Sequence, residues 1–199
     1  VKSTLSPLQV RVIRTLAHLD WTLTGGAALA GYHLGHRTTR DLDFFWMGKG
    51  DLERIPAEVE RRLVAEGLQV DRLQTSPGFV RIRVASEDEA MPVDLVAEPM
   101  SAIEPPLEAE PGVRVDTRFA ILVNKLGALL SRWAVRDLVD VRALLEAGED
   151  LTRGLEAAAR RDGGFSPQTL AWVLDTAPTV GLDDDLLTFR RTLVERLLG

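Results

Sequence analysis

The chain has 199 residues, a net charge of −6, 45% hydrophobic and 27% charged residues, the balance of a globular protein able to bury a core rather than of a disordered one. It contains no cysteine, which excludes disulfides and thiolate metal sites and points to a reducing cytosol. No apolar run approaches the roughly 20 residues that cross a bilayer, "VKSTLSPLQV" lacks the apolar centre of a secretory signal, and neither residues 1–115 nor 116–199 carry more basic than acidic side chains, which speaks against broad phosphate neutralisation along a nucleic acid but leaves room for a local basic groove.

Along the chain, Ser6-Pro7 reads as a helix cap followed by a first-turn proline. Leu8, Val12, Ile13, Leu16 and Leu19 then fall on one helical face, so a helix is expected over Ser6–Leu19. "WTLT" reads as a short strand. The Ala- and Leu-rich run Gly26–Gly35 suits a helix entered through glycines, and "DLDFFW" (Asp41–Trp46) reads as a strand. Residues 51–66 are amphipathic and end at Gly67. "LQVDRLQTS", "FVRIRVAS" and "MPVDLVAE" read as antiparallel strands, with Val80, Ile82 and Val84 alternating with Arg81 and Arg83. Pro77-Gly78 marks the turn between the first two. The proline-rich stretch Glu98–Gly112 reads as a loop or linker. Helices are expected over 118–132, 135–147, 151–162, 166–177 and 183–198. The order predicts an α+β fold: a mixed sheet with flanking helices over 1–115, followed by a helical C-terminal part over 116–199.

Chemistry concentrates in "TGGAALAGYHLGHRTTRDLDFF". Residues two apart on a strand share a face, about 6.5–7 Å apart, so Asp41 and Asp43 project together. Two unpaired carboxylates repel, and a divalent cation removes that cost. With no cysteine and only His18, His33 and His36, any metal is expected to be a hard cation held by carboxylates. Gly25-Gly26 permits a tight turn and close approach of backbone to a ligand, and the N–H groups that follow favour a phosphate. Asp94 lies in an apolar run, where a carboxylate needs a partner. If its strand neighbours Asp43, three carboxylates can serve two metals in an in-line displacement; the alternative is a pairing of Asp94 with Arg81 or Arg83. Together these features suggest a nucleoside triphosphate carried as its Mg²⁺ complex. Arg37 and Arg40 flank the acidic pair, within reach of phosphates or of surface acids. Trp46, Trp133 and Trp172 are expected in the core.

This constellation resembles the polymerase-β-type nucleotidyltransferases and, more narrowly, the AbiEii/AbiGii toxin family. "GGAALAGYHLGHRTTRDLDFF" (Gly25–Phe45), "VDLV" around Asp94 and "NKLGALLSRWAVRDLVDVRALL" (Asn124–Leu145) carry the resemblance. It departs at Gly26, where the wider superfamily commonly has a serine. The resemblance implies a nucleotidyltransferase core over 1–115 and a helical domain over 116–199. It implies transfer of a nucleoside monophosphate from an NTP to an RNA such as tRNA, or to a protein, with release of pyrophosphate. Asp41, Asp43 and Asp94 would hold two Mg²⁺ ions, with Mn²⁺ as a substitute. Gly25, Gly26, Arg37, Arg40 and Lys125 would contact the triphosphate. Arg136, Asp137 and Asp140 would stand nearby without an assigned step. It also implies a cytoplasmic toxin with a cognate antitoxin and no membrane partner. Two other readings stay open: a nucleotide-binding regulator without turnover, and a small-molecule transferase of the antibiotic-modifying type.

Overall fold

A computed structural model describes residues 4–199. They form two compact units, the first ending at Thr117 and the second spanning Arg118–Gly199.

The first unit is built on a mixed sheet. Helix α1 (Pro7–Thr15) starts from a capping box in which Ser6 and Gln9 exchange side-chain and backbone hydrogen bonds. It stops earlier than its apolar periodicity suggests, because His18 turns into a left-handed conformation (φ 64°) and its N–H bonds the carbonyl of Gly112 at 3.0 Å. Strand β1 (Thr22–Thr24) leads through Gly25 into a short helix α2 (Gly25–Ala28), continued by one π-helical turn (Leu29–His33). Then come β2 (Leu42–Met47), α3 (Ile55–Ala65), β3 (Gln69–Ser76), β4 (Phe79–Ala85) and β5 (Ala90–Glu98).

The stretch expected to be a linker contains a further strand, β6 (Leu107–Glu110), and another, β7 (Val113–Val115), follows directly after it. Its prolines sit where they cost no ladder bonds: Pro105 and Pro106 precede β6, Pro111 lies in the hairpin turn, and β6 is an edge strand needing partners on one side only. The seven strands run in the order β3-β4-β5-β2-β1-β7-β6. β3, β4 and β5 are antiparallel neighbours, β5 lies parallel to β2, and β2 is antiparallel to β1.

β2 alternates buried and half-buried residues. Leu42, Phe44 and Trp46 point inward, and Phe44 meets Trp21 edge-on with ring centroids 4.6 Å apart. Ile82, Val93 and Leu95 of the neighbouring strands, Val12 and Ile13 of α1, and Val59 and Leu63 of α3 are fully buried as well. Asp43 and Phe45 therefore occupy the other face.

The second unit is helical throughout: α4 (Arg118–Ser131), α5 (Val135–Glu146), α6 (Leu151–Arg161), α7 (Pro167–Thr176) and α8 (Asp184–Leu198). Asp150, Ser166 and Asp183 cap α6, α7 and α8 by accepting from backbone N–H groups three residues on. Trp172 corrects its expected place in the core: it is 66% exposed, whereas Trp46 is buried. Leu170, Ala171 and Leu174 define the inward face of α7, and a residue two positions after Leu170 lies about 200° around the helix. Among the described residues no helix is long and apolar enough to cross a membrane.

Candidate functional site

The register of three strands assembles the site. Thr24 of β1 stands opposite Asp43 of β2, Asp43 opposite Asp94 of β5, and Asp94 opposite Arg81 of β4. One row across the sheet thus carries Thr24, Asp43, Asp94 and Arg81. Asp41 lies just before β2, two residues from Asp43 and on the same side. Asp43 and Asp94 are thus direct neighbours, with Asp41 on the same face of the sheet.

β1 delivers its glycines to the end of this row. Gly25 adopts φ +67°, and a Cβ added there would lie 2.5 Å from Asp43 Oδ2. The turn and the carboxylate are in contact because no side chain separates them. A Cβ on Gly26 would lie 2.7 Å from Arg37 Nη2 and 3.4 Å from Thr39 Oγ1. The Arg37 guanidinium therefore covers the second glycine, and Arg40 is exposed beside Asp41.

The surrounding hydrogen bonds fix this geometry. Thr39 Oγ1 donates to Asp41 Oδ1 at 2.8 Å, and the buried Gln9 amide reaches the carbonyls of Thr39 and Asp41 at 3.4 and 3.3 Å. Thr24 Oγ1 donates to Asp116 Oδ2 at 2.6 Å, and His33 Nε2 bonds the Asp116 carbonyl at 2.8 Å. Asp116 is almost fully buried and its N–H bonds the carbonyl of Leu23 at 2.9 Å. Sequence reading does not single out Asp116 or Gln9. The only local signal for Asp116 is its position at the end of the alternating "VRVD".

Arg81 pairs with the Asp94 carboxylate of the row. Its Nε and Nη2 each donate to one oxygen of Asp94 at 2.7 Å, a two-point contact of the kind that gives Arg–carboxylate pairs their strength. The hydrogen bond to Asp94 raises the guanidinium's pKa above its ordinary value, and the charges of Asp94, Asp43 and Asp41 add to the rise against a smaller opposing effect of burial. Of the two arginines open to Asp94 in the sequence, Arg81 takes it, while Arg83 bonds Asp71 at 3.2 Å.

A divalent cation can be tested against these donors. Asp41, Asp43 and Asp94 offer oxygen alone, the ligand chemistry of Mg²⁺. Asp43 and Asp94 are direct neighbours, and Gly25 leaves beside Asp43 a space that a Cβ would fill. The donor set fits a hard cation. Among the described residues no group of three or more His, Cys, Asp or Glu side chains is gathered to hold one, and both oxygens of Asp94 are held by Arg81.

In the helical unit, Lys125 of α4 meets α5. Its Nζ lies 2.6 Å from Asp137 Oδ1 and 2.7 Å from Asp140 Oδ2, and all three residues are buried. Arg132 Nη2 stands 3.5 Å from Asp137 Oδ2, and Arg136 is exposed. The spacing of Asp137 and Asp140, one helical turn, aims both at the one ammonium.

The family model described as nucleotidyl transferase AbiEii toxin, type IV TA system, matches residues 10–195. Among solved structures, the chain is similar to a candidate nucleotidyltransferase of H. pylori, with 21% identity over 97% of this chain and 96% of that one and a TM-score of 0.60. It is also similar to JHP933 of Helicobacter pylori, with 22% identity over 94% of this chain and 88% of that one and a TM-score of 0.56. At these identities the likeness is one of fold. A comparison with curated proteins gives no match.

Proposed function

From the premise that the chain belongs to the AbiEii nucleotidyltransferase toxin family, we propose that it transfers a nucleoside monophosphate from an NTP to an acceptor hydroxyl on RNA, such as tRNA, or on protein, and releases pyrophosphate. The observation that carries this reading is the pairing of Asp43 with Asp94 across β2 and β5, beside the Gly25 turn. In this reading residues 1–115 are the transferase core and 116–199 a helical domain.

Asp41, Asp43 and Asp94 would hold Mg²⁺, two ions in all, which when bound would supply charge neutralisation to the attacking and leaving oxygens. The chain's own residues do the rest. Gly25 and Gly26 let the backbone approach the triphosphate without a side chain between. Arg37, already over Gly26, and Arg40 offer guanidinium groups to its oxygens. Thr39 and Gln9 hold Asp41 in place, so its carboxylate needs no reorientation. Lys125, expected to contact the triphosphate, has its charge met by Asp137 and Asp140, and Arg136, Asp137 and Asp140 are the accessory set of the helical part. A cytoplasmic toxin neutralised by a cognate antitoxin completes the reading.

Incubation with each α-labelled NTP, Mg²⁺, cell RNA and cell protein tests it. Label should appear in one acceptor class and vanish with EDTA and with Asp43→Asn. Tight NTP binding without pyrophosphate release would instead favour the regulator.

A further inference from the structure

Nothing in a row of carboxylates across a sheet requires an arginine that grips both oxygens of one member. Arg81 does so, with two 2.7 Å bonds to Asp94, while Asp94's side chain is only 13% exposed and Arg81's is 45% exposed. The pair thus has a mostly buried carboxylate end and a guanidinium end that faces solvent. The guanidinium also lies 5.7 Å from the centre of the Phe79 ring, two residues along the same strand. It has an aromatic face against which to lie once it leaves Asp94.

A fork of Nε and Nη2 on a carboxylate takes up the lone pairs that the two oxygens direct outward together. A metal ion approaching Asp94 meets those lone pairs already in use and a like charge beside them. Asp43 is the direct neighbour of Asp94 in the row.

We propose that Arg81 is the resident counter-cation of the carboxylate row and competes with the divalent ion for Asp94, so that metal loading depends on a nucleotide whose triphosphate gives the guanidinium another anion. The inference rests on the metal-dependent reading above. It makes Arg81 a positioning residue: it acts by holding or releasing Asp94. Metal alone binds weakly, and metal with NTP binds well. The carboxylates therefore do not load a lone divalent ion while no substrate is present.

The test is Mn²⁺ titration of the full chain, followed by electron paramagnetic resonance, with and without a non-hydrolysable NTP analogue. Wild type should bind Mn²⁺ tightly only with the analogue. Arg81→Gln should bind Mn²⁺ without nucleotide about tenfold more tightly than wild type, the loss of one charge-assisted pair, and should gain little more from the analogue. Arg81→Lys, which keeps the charge but not the fork, should fall between. Metal-free Arg81→Gln should also melt lower than wild type and gain more in Tm on adding Mn²⁺. An unchanged Mn²⁺ affinity in Arg81→Gln overturns the proposal. So does a weaker one, which is the result if Arg81 instead supports Asp94 as a metal ligand. Should neither wild type nor Arg81→Gln bind Mn²⁺ under any condition, the metal-dependent reading itself fails and the proposal with it.

Discussion

Asp43 and Asp94 stand side by side as register partners of two parallel strands, β2 and β5. Both are half-buried, with their inward-facing neighbours Leu42, Phe44, Val93 and Leu95 fully buried. The pair is therefore aimed by the core and carries little of it. Asp43→Asn and Asp94→Asn are each expected to reduce label transfer by about 10²–10³-fold, the usual loss on removing one electrostatic contact at a reacting centre. The melting temperature of Asp43→Asn should stay close to wild type, whereas that of Asp94→Asn should fall with the loss of the Arg81 pair. A transfer rate unaffected by both substitutions would remove the basis of the functional reading.

Gly25 and Gly26 should respond differently to the same added methyl group. Gly25→Ala forces a left-handed backbone on alanine and drives its Cβ into Asp43, so about 1–2 kcal/mol of stability should be lost along with transfer. At Gly26 the obstruction is the end of the flexible Arg37 side chain. Gly26→Ala should leave the unfolding midpoint nearly unchanged and raise KM for the NTP. Chemical unfolding alongside steady-state kinetics separates the two.

Lys125 holds two fully buried carboxylates at once. Lys125→Met removes the ammonium that both share, and a broken buried pair typically costs about 3–5 kcal/mol. Urea unfolding should show this loss. Removing the carboxylates as well, in Lys125→Met with Asp137→Asn and Asp140→Asn, should recover part of it. If Lys125→Met unfolds like wild type, the cluster is not what fixes α4 to α5.

Tyr32 is the only tyrosine, so absorbance near 295 nm reports it alone. Its pKa is raised from 10.0 to about 12, first by burial and then by the Glu110 charge and hydrogen bond, against an opposing effect of Arg14. The unfolded chain loses the phenolic proton first. The stability this protonated phenol contributes is complete below pH 10.0, and it is lost as pH rises through about 12. Tyr32→Phe should flatten the fall in stability over that window, and the wild-type absorbance midpoint should lie near its upper end.

Much of this was legible because the relevant signals are local. Ser6-Pro7 caps a helix, Val80-Arg81-Ile82-Arg83 alternates as a strand must, and Asp41-Leu42-Asp43 places two carboxylates on one side by strand geometry alone. Other features depend on partners distant in the chain. Pairing with β1 makes a strand of Val113–Val115 despite the prolines before it. Trp172 faces solvent because its helix already has an inward side. Two arginines sit at equivalent spacing near Asp94, and only the register of β4 on β5 puts Arg81 opposite it. Asp116 is far in sequence from Thr24, and no local pattern announces that the two meet.

β1 has just three residues, yet it pairs antiparallel with β2 on one side and parallel with β7 on the other. A single inserted or deleted residue there would turn Thr24 from Asp116 and swing Gly25 off Asp43 together. Length variation among relatives should therefore gather in the β3–β4 hairpin tip and in residues 99–106, while the three positions of β1 remain a fixed count: a ruler against which the rest of the chemistry is measured.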